Sequence, residues 1–164
     1  MNSRFHVVAG VLACTLALPV AAEAATVHVF FIRGEHGVVV HRPAPAMTPA
    51  RAAVSALLEG PTVSERRQGF SSAFPTGSRL LGLTIRNGTA TVDLTSRFAS
   101  GGGSASMQER LGQLVYTLTA IPGVKAVNLR LQGRLVHVFS GEGLILQQPL
   151  TRAAFRDFVP PAHG

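Results

Sequence analysis

The alternation of apolar and polar residues is clearest from Leu80 to Leu94, on either side of Asn87-Gly88. An Asn-Gly pair fits the two positive-φ positions of a type I′ turn, whose twist matches that of the strands it joins. A hairpin folded about this turn pairs apolar residues with apolar residues: Ile85 with Ala90, Leu83 with Val92, and Leu81 with Leu94. Because a shift of one residue would turn this set towards water, the pattern predicts the register as well as the hairpin.

A second hairpin is predicted from Lys125 to Phe139, with its turn at Gln132-Gly133. A two-residue turn predicts three facing pairs: Val127 with Val138, Leu129 with Val136, and Asn128 with His137 on the reverse face. Near the other end of the chain, β-branched and aromatic residues predict strands over 27–32 and 38–41, joined by a turn at 34–37.

Three helices are indicated by capping residues and helical spacing. The first begins with Thr48 as N-cap and Pro49 at the first helical position, and it stops at Gly60-Pro61. Capping boxes predict the starts of the other two: Thr62 with Glu65 for a short helix, and Ser106 with Glu109 for a longer one that ends at Pro122-Gly123. The order of elements predicts an α+β fold, with a largely antiparallel sheet built from hairpins and two main helices packed on one face.

Residues 1–24 have the pattern of a secretory signal peptide: Arg4, an apolar run, and small residues at Ala22 and Ala24. Cleavage after Ala24 predicts a single domain over 25–164, with its core over about 26–158, exported to the periplasm or the extracellular envelope and not integral to the membrane. It also leaves no cysteine, which excludes disulfides and thiolate chemistry. The alternative is a lipid anchor at Cys14, because Val11-Leu12-Ala13-Cys14 loosely resembles a lipobox.

The net charge of +7 comes from arginine, since Lys125 is the sole lysine. Such a charge favours anionic partners, for example lipid head groups or acidic wall polymers. It does not predict nucleic-acid binding, because no run of cations exceeds Arg66-Arg67, tryptophan is absent and tyrosine occurs once.

Catalytic chemistry finds little support in the sequence. The histidines that follow residue 24 show no HExxH or HxH spacing: His28, His36, His41, His137 and His163. His36 and His41 are near neighbours in sequence, at the tip and on the far strand of the first hairpin, and they are interpreted as part of a surface hairpin rather than as metal ligands. Asp93 is interpreted as an outward polar residue or a cap for the turn at Thr95-Ser96. The chain is therefore predicted not to be an enzyme, with no catalytic residue, no metal site and no cofactor.

Weak candidates for a docking face are the residues that the two later hairpins turn away from the helices: Arg86, Asn128, Arg130, Leu135, His137 and Phe139. Leu135 and Phe139 are apolar residues on a face that would otherwise be solvated, and an apolar pair rimmed by polar residues is typical of a contact patch. The other interpretation is that the C-terminal segment 143–158 covers them. Both interpretations stay open at this stage.

Several short motifs occur in a familiar order and spacing: Leu57-Leu58-Glu59-Gly60-Pro61, Phe74-Pro75-Thr76-Gly77, the Asn87-Gly88 hairpin with Val92-Asp93-Leu94, Gln113-Leu114-Val115-Tyr116-Thr117-Leu118-Thr119, Val127-Asn128-Leu129 and Pro149-Leu150-Thr151-Arg152. In these motifs the chain resembles GerMN domains, the modules of sporulation and spore-germination envelope proteins. The resemblance implies an envelope module related in fold to ring-building domains, without established catalytic residues.

The expected function is thus a non-enzymatic interaction or assembly module, whose partner is an envelope protein or a second copy of the chain. The alternative is an envelope protein that binds an anionic lipid head group or wall polymer through its arginine-rich surface. A peptidoglycan-active enzyme is the third and least supported interpretation.

Overall fold

The computed structural model describes residues 25–45, 48–139 and 143–159. The predicted signal peptide, including Cys14, lies outside these ranges, as does His163. Within the described residues, no helix has both the length and the apolar character needed to cross a bilayer.

The first sheet has three antiparallel strands in the order β2-β1-β3: β1 (Ala25–Arg33), β2 (His36–Ala44) and β3 (Phe70–Ser71). The predicted first hairpin is confirmed, with longer strands and a tighter turn at Gly34-Glu35. β1 is buried along most of its length because it lies between two strands and beneath two helices. Pro43 does not end β2, since β2 is an edge strand and one of its sides carries no ladder hydrogen bonds.

The helices are α1 (Pro49–Glu59), α2 (Val63–Arg67) and α3 (Ser104–Leu118). Pro49 is the first residue of α1, and the Thr62–Glu65 capping box of α2 is present, as predicted. The capping box predicted at Ser106 and Glu109 is wrong, because α3 begins earlier, at Ser104, with Gly103 as its N-cap. α1 and α3 contact each other, and both pack on β1.

A bidentate ion pair ties α2 to the first sheet. Both terminal nitrogens of Arg42 on β2 donate to the Glu65 carboxylate, at 2.7 and 2.5 Å, and the backbone N–H of Thr62 donates to it at 2.8 Å. Hydrogen bonding from Arg42 is the main cause that lowers the pKa of Glu65 to about 2. The ionised carboxylate therefore holds α2 against β2.

The second sheet has four strands in the order β4-β5-β6-β7: β4 (Leu80–Arg86), β5 (Thr89–Leu94), β6 (Ala126–Leu131) and β7 (Arg134–Leu135). The Asn87-Gly88 turn is confirmed, with φ of 50° and 76°, and so are the Ile85–Ala90 and Leu83–Val92 pairs. The Leu81–Leu94 pair is wrong. A bulge between Leu80 and Gly82 places Leu80 opposite Leu94 and leaves Leu81 52 % exposed.

The second predicted hairpin is shorter than the pattern suggests. Its turn at Gln132-Gly133 is present, but β6 and β7 pair only over 130–131 and 134–135. The Leu129–Val136 contact is kept through a hydrogen bond from Val136 N–H to Leu129 O, and both side chains are buried. The chain then leaves the sheet and forms β8 (Val138–Phe139), which pairs with β9 (Leu144–Ile145).

The Val127–Val138 and Asn128–His137 pairs are therefore wrong, and the C-terminal segment explains why. The side chain of Gln148 accepts from Leu129 N–H at 2.7 Å and donates to the oxygens of Leu129 and Val136. Leu150 then bridges Val127 in place of Val138. Residues 148–150 thus occupy the edge of β6 that the hairpin was predicted to fill.

The α+β class with largely antiparallel strands is confirmed, although the strands form three sheets rather than one. The exception to antiparallel pairing is β5 with β6, which run parallel because α3 connects them. The inner faces of β5 and β6 and the apolar stripe of α3 share one core: Ala90, Val92, Leu94, Val127, Leu129, Leu111, Leu114 and Leu118.

Candidate functional site

The outer side of the β4–β7 sheet carries residues that pair across the strands and therefore point the same way. We call it the open face; its members are Thr84, Arg86, Thr89, Thr91, Asn128, Arg130 and Leu135. Its long side chains and Thr84 are exposed, with Leu135 at 41 %, and Thr89, Thr91 and Asn128 are half-buried. The opposite side of β5 and β6 is buried, except for the partly buried Leu131 at the end of β6. The sheet is thus covered on one face only.

The electrostatics of the open face are positive. Neither Arg86 nor Arg130 makes a hydrogen bond or an ion pair with any described residue. Asp93 lies beside Arg130 in the register, but its carboxylate accepts from Gly133 N–H at 3.0 Å and so supports the β6–β7 turn. It does not cap the turn at Thr95-Ser96. With respect to the described part of the chain, the two guanidinium groups are therefore available to an anionic partner.

Four of the predicted docking residues lie together on this face: Arg86, Asn128, Arg130 and Leu135. His137 is exposed but lies beyond β7, outside the sheet. Phe139 is fully buried, with its ring 5.5 Å from that of Phe98, so its predicted place on the surface is wrong. The reason is the departure of the chain from β7, which turns β8 towards the core.

The C-terminal segment 143–158 covers one of the two apolar residues that were predicted on the docking face, Phe139, but not Leu135. Leu144 pairs with Phe139, and Leu150 lies on the edge of β6, whereas Leu135 remains exposed. Further along, the ring of Phe158 packs so closely on α3 that a Cβ at Gly112 would lie 2.6 Å from it. The segment therefore closes the side of the domain formed by α3 and the first hairpin, and it leaves the open face uncovered.

A row of buried polar residues on α3 was missed from the sequence: Arg110, Gln113 and Thr117. Gln113 donates to Phe30 O at 3.0 Å and accepts from Ala73 N–H at 2.8 Å, and Thr117 accepts from Phe30 N–H at 3.0 Å. Arg110 donates to backbone oxygens of the loops around Ala73 and Phe98. Its position between the apolar Met107 and Leu114, at helical spacing, is the signal that could have revealed its burial.

Three of the histidines lie in the first hairpin. His28 and His41 face each other across β1 and β2 with ring centroids 4.8 Å apart, whereas His36 lies at the strand end. His28 and His41 are thus neighbours in space, although they lie on different strands of the first hairpin. Among the described residues, no group of three or more His, Cys, Asp or Glu side chains could hold a metal ion.

Solved structures share the fold. The chain matches the tandem GerMN domains of the sporulation protein GerM from Bacillus subtilis, with a TM-score of 0.68 and 23 % identity over 79 % of this chain and 47 % of that one. It spans about half of the tandem protein's length. It also matches the first GerMN domain of the same protein, with a TM-score of 0.64 and 22 % identity, over 79 % of this chain and 98 % of that chain.

A putative lipoprotein from Clostridium perfringens matches with a TM-score of 0.58 and 16 % identity, over 85 % of this chain and 94 % of that one. No curated protein matches the chain. The family Germane, described as "Sporulation and spore germination", matches residues 28–137, which include both helices of the core and the whole second sheet. The chain therefore belongs to the Germane family, and the resemblance to GerMN domains is confirmed.

Proposed function

We propose that the chain is a non-enzymatic interaction module that docks the open face against an acidic surface of another envelope protein. The observation that carries this proposal is the pair of guanidinium groups, Arg86 and Arg130, which have no partner among the described residues and lie on a sheet face that no described element covers. The residues of this face line none of the cavities described for the molecule, and a small molecule needs a concave site, so the face suits a protein surface better.

The chemistry of the face indicates how such a contact would work. Exposed arginines at the rim of an interface speed association and select partners of opposite charge. Leu135, which pairs with Arg130, supplies the apolar surface that a stable contact excludes from water. Threonines in the same rows offer hydroxyl groups to the partner.

The envelope location of the partner is part of the proposal. It is supported by the signal-peptide pattern of residues 1–24, which the structure does not describe, and by the similarity to a protein described as a putative lipoprotein. An acidic surface on a second copy of the chain is the competing occupant of the open face, and the experiment must separate the two.

The test is site-specific photo-crosslinking in living cells of the source organism. A photoreactive residue replaces Thr84, which is exposed on the open face, and in a control it replaces Arg51, which is exposed on α1. We expect a discrete protein adduct from position 84 that is lost in the Arg130→Glu variant and weakened by added salt.

The outcomes are distinguishable. An adduct of twice the chain's own mass would identify a second copy as the occupant and reject the partner proposed here. The same adducts from positions 84 and 51, or an adduct that Arg130→Glu leaves unchanged, would reject the open face as the docking surface.

A further inference from the structure

A cavity of about 370 Å³ lies on another part of the surface, where α3 meets the loops that contain Thr76 and Gly101. None of the described residues that line it is acidic, and two are arginines, Arg97 and Arg110. None of them belongs to the open face. The cavity is therefore a separate, electropositive site.

Arg110 is the inner wall of this cavity and is only 2 % exposed. Its guanidinium has five N–H groups. Four are used by backbone oxygens: Nε by Ala73, Nη1 by Phe98 and Ser100, and Nη2 by Gly101. One N–H of Nη2 has no acceptor among the described residues. No carboxylate of a described residue contacts the group, so within this part of the chain the buried positive charge has no counter-charge, which is costly in a protein interior.

Arg97 supplies free donors at the rim. Its Nε donates to Thr76 O at 3.1 Å, and its two terminal nitrogens make no hydrogen bond with the described residues. The two arginines differ in exposure. Arg110 is buried, and this burial lowers the pKa of its guanidinium. Arg97 is exposed, and its side chain can turn towards a ligand. With its two terminal nitrogens, Nη1 and Nη2, the guanidinium of Arg97 can bind an oxyanion in bidentate fashion.

Gly102 lies next to two hydrogen-bond donors of the cavity, the Ser106 hydroxyl and Arg110 Nη2. A Cβ added there would lie 2.8 Å from Ser106 Oγ and 3.4 Å from Arg110 Nη2, and the residue has a φ of +82°. Ser106 Oγ makes no hydrogen bond with a described side chain or backbone group, so its hydroxyl is available. With glycine at position 102, the hydroxyl, the buried guanidinium and the cavity stay open to one another.

From this arrangement we infer that the cavity binds a phosphate group, which Arg97 holds at the rim and the Ser106 hydroxyl and Arg110 Nη2 hold on the inner wall. A phosphate oxygen would accept from the fifth N–H of Arg110 and compensate its charge. A volume of about 370 Å³ also leaves room for the group that carries the phosphate. The sequence suggested that an anionic ligand could bind through an arginine-rich surface without saying where. This inference assigns such a ligand to one site.

The first arm of the test uses inorganic phosphate. The protein is titrated at constant ionic strength while the backbone amide resonances of Gly101 and Gly102 are followed by NMR. We expect saturable shifts, and Arg97→Gln should weaken the affinity about tenfold, the loss expected for a charge-assisted hydrogen bond. Ser106→Ala should weaken it to a smaller degree. Arg51→Gln removes an exposed arginine elsewhere and should leave the affinity unchanged.

The second arm identifies the source of the phosphate. Sedimentation with phosphatidylglycerol vesicles, compared with phosphatidylcholine vesicles, shows whether a lipid head group occupies the site in an Arg97-dependent way. Phosphate binding without vesicle binding assigns the site to a free phosphate or a soluble ester. Shifts that do not saturate, or an equal loss of affinity in Arg97→Gln and Arg51→Gln, would overturn the inference.

Discussion

The side-chain amide of Gln113 donates a hydrogen bond of 3.0 Å to the backbone oxygen of Phe30, 83 residues earlier in the chain. Thr117 accepts from the N–H of the same residue, so two side chains of α3 satisfy both backbone groups of Phe30 on the side that faces away from β2. β3 pairs with β1 only at Ile32 and Arg33. The helix thus takes the place that a longer β3 would fill.

Gln113→Met should destabilise the protein by about 2–4 kcal/mol, because the oxygen of Phe30 and the N–H of Ala73 both lose their partners in the interior. Methionine has a similar volume, so little of this loss would come from a cavity. The measurement is the free energy of unfolding in urea. Gln108→Met, at an exposed position of the same helix, is the matched control and should have little effect. Equal stability of the two variants would contradict the proposed role of Gln113.

Acid should weaken the attachment of α2. The pKa of Glu65 in the folded protein is about 2, below its ordinary value of 4.5. The stabilisation by the ionised carboxylate is therefore fully present above the unfolded pKa and is lost as the pH falls from about 5 to about 2. Its size should be about 1–2 kcal/mol, as for a hydrogen-bonded ion pair that is partly exposed.

The measurement is the free energy of unfolding as a function of pH for the wild type and Glu65→Gln. The difference between the two should shrink by that amount across the acid window. Glu59→Gln, which changes an exposed carboxyl at the end of α1, should leave the wild-type pH profile unchanged. A Glu65→Gln profile parallel to that of the wild type would refute the assignment.

The packing of Phe158 on Gly112 can be tested with Gly112→Ala, because this packing determines whether the substitution raises or lowers the melting temperature. Glycine to alanine inside a helix normally stabilises a protein by up to about 1 kcal/mol. Here the new methyl group would lie 2.6 Å from the ring of Phe158, so we expect Gly112→Ala to lower the melting temperature and to expose the C-terminal segment to proteases. In the background of Phe158→Ala the same substitution should become neutral or stabilising. A melting temperature raised by Gly112→Ala alone would show that Phe158 does not pack there.

Gln132 has a φ of 49°, a conformation that asparagine and glycine adopt more readily than glutamine. Gln132→Asn would give this turn the same Asn-Gly pair as the other hairpin. We expect a gain of about 0.5–1 kcal/mol in the free energy of unfolding, since the strain at this position would be reduced. Gln132→Ala serves as the comparison and should give no gain. Equal stability of the asparagine and alanine variants would show that the strain at residue 132 is negligible.

Local rules were sufficient for the elements whose geometry is decided by adjacent residues. The Asn87-Gly88 turn and the period of two in its strands predicted the register at Ile85 and Leu83, and from it followed the common face of Arg86 and Thr84. The alternating pattern could not predict the bulge at Leu81. A bulge adds one residue to one strand of the pair, and no distinctive sequence signal marks it.

Non-local contacts decided the rest. The parallel pairing of β5 with β6 depends on how α3 packs, and the departure of the chain after β7 depends on Gln148 and Leu150, which follow much later. Leu135 lies before the point where the chain leaves the sheet, so its predicted position was correct. Phe139 lies after that point, so its predicted position was wrong. Arg110 and Arg97 were missed because their convergence requires two loops and a helix to meet.

The bulge at Leu81 also bears on how the molecule avoids unwanted association. β4 and β2 are the long outer strands of the two larger sheets, and such strands can template the addition of a strand from another molecule. β4 is interrupted by the bulge at Leu81, and β2 carries Pro43, which has no N–H to offer. Growth of either sheet by backbone pairing is thereby discouraged, so a binding partner has to be selected by side chains.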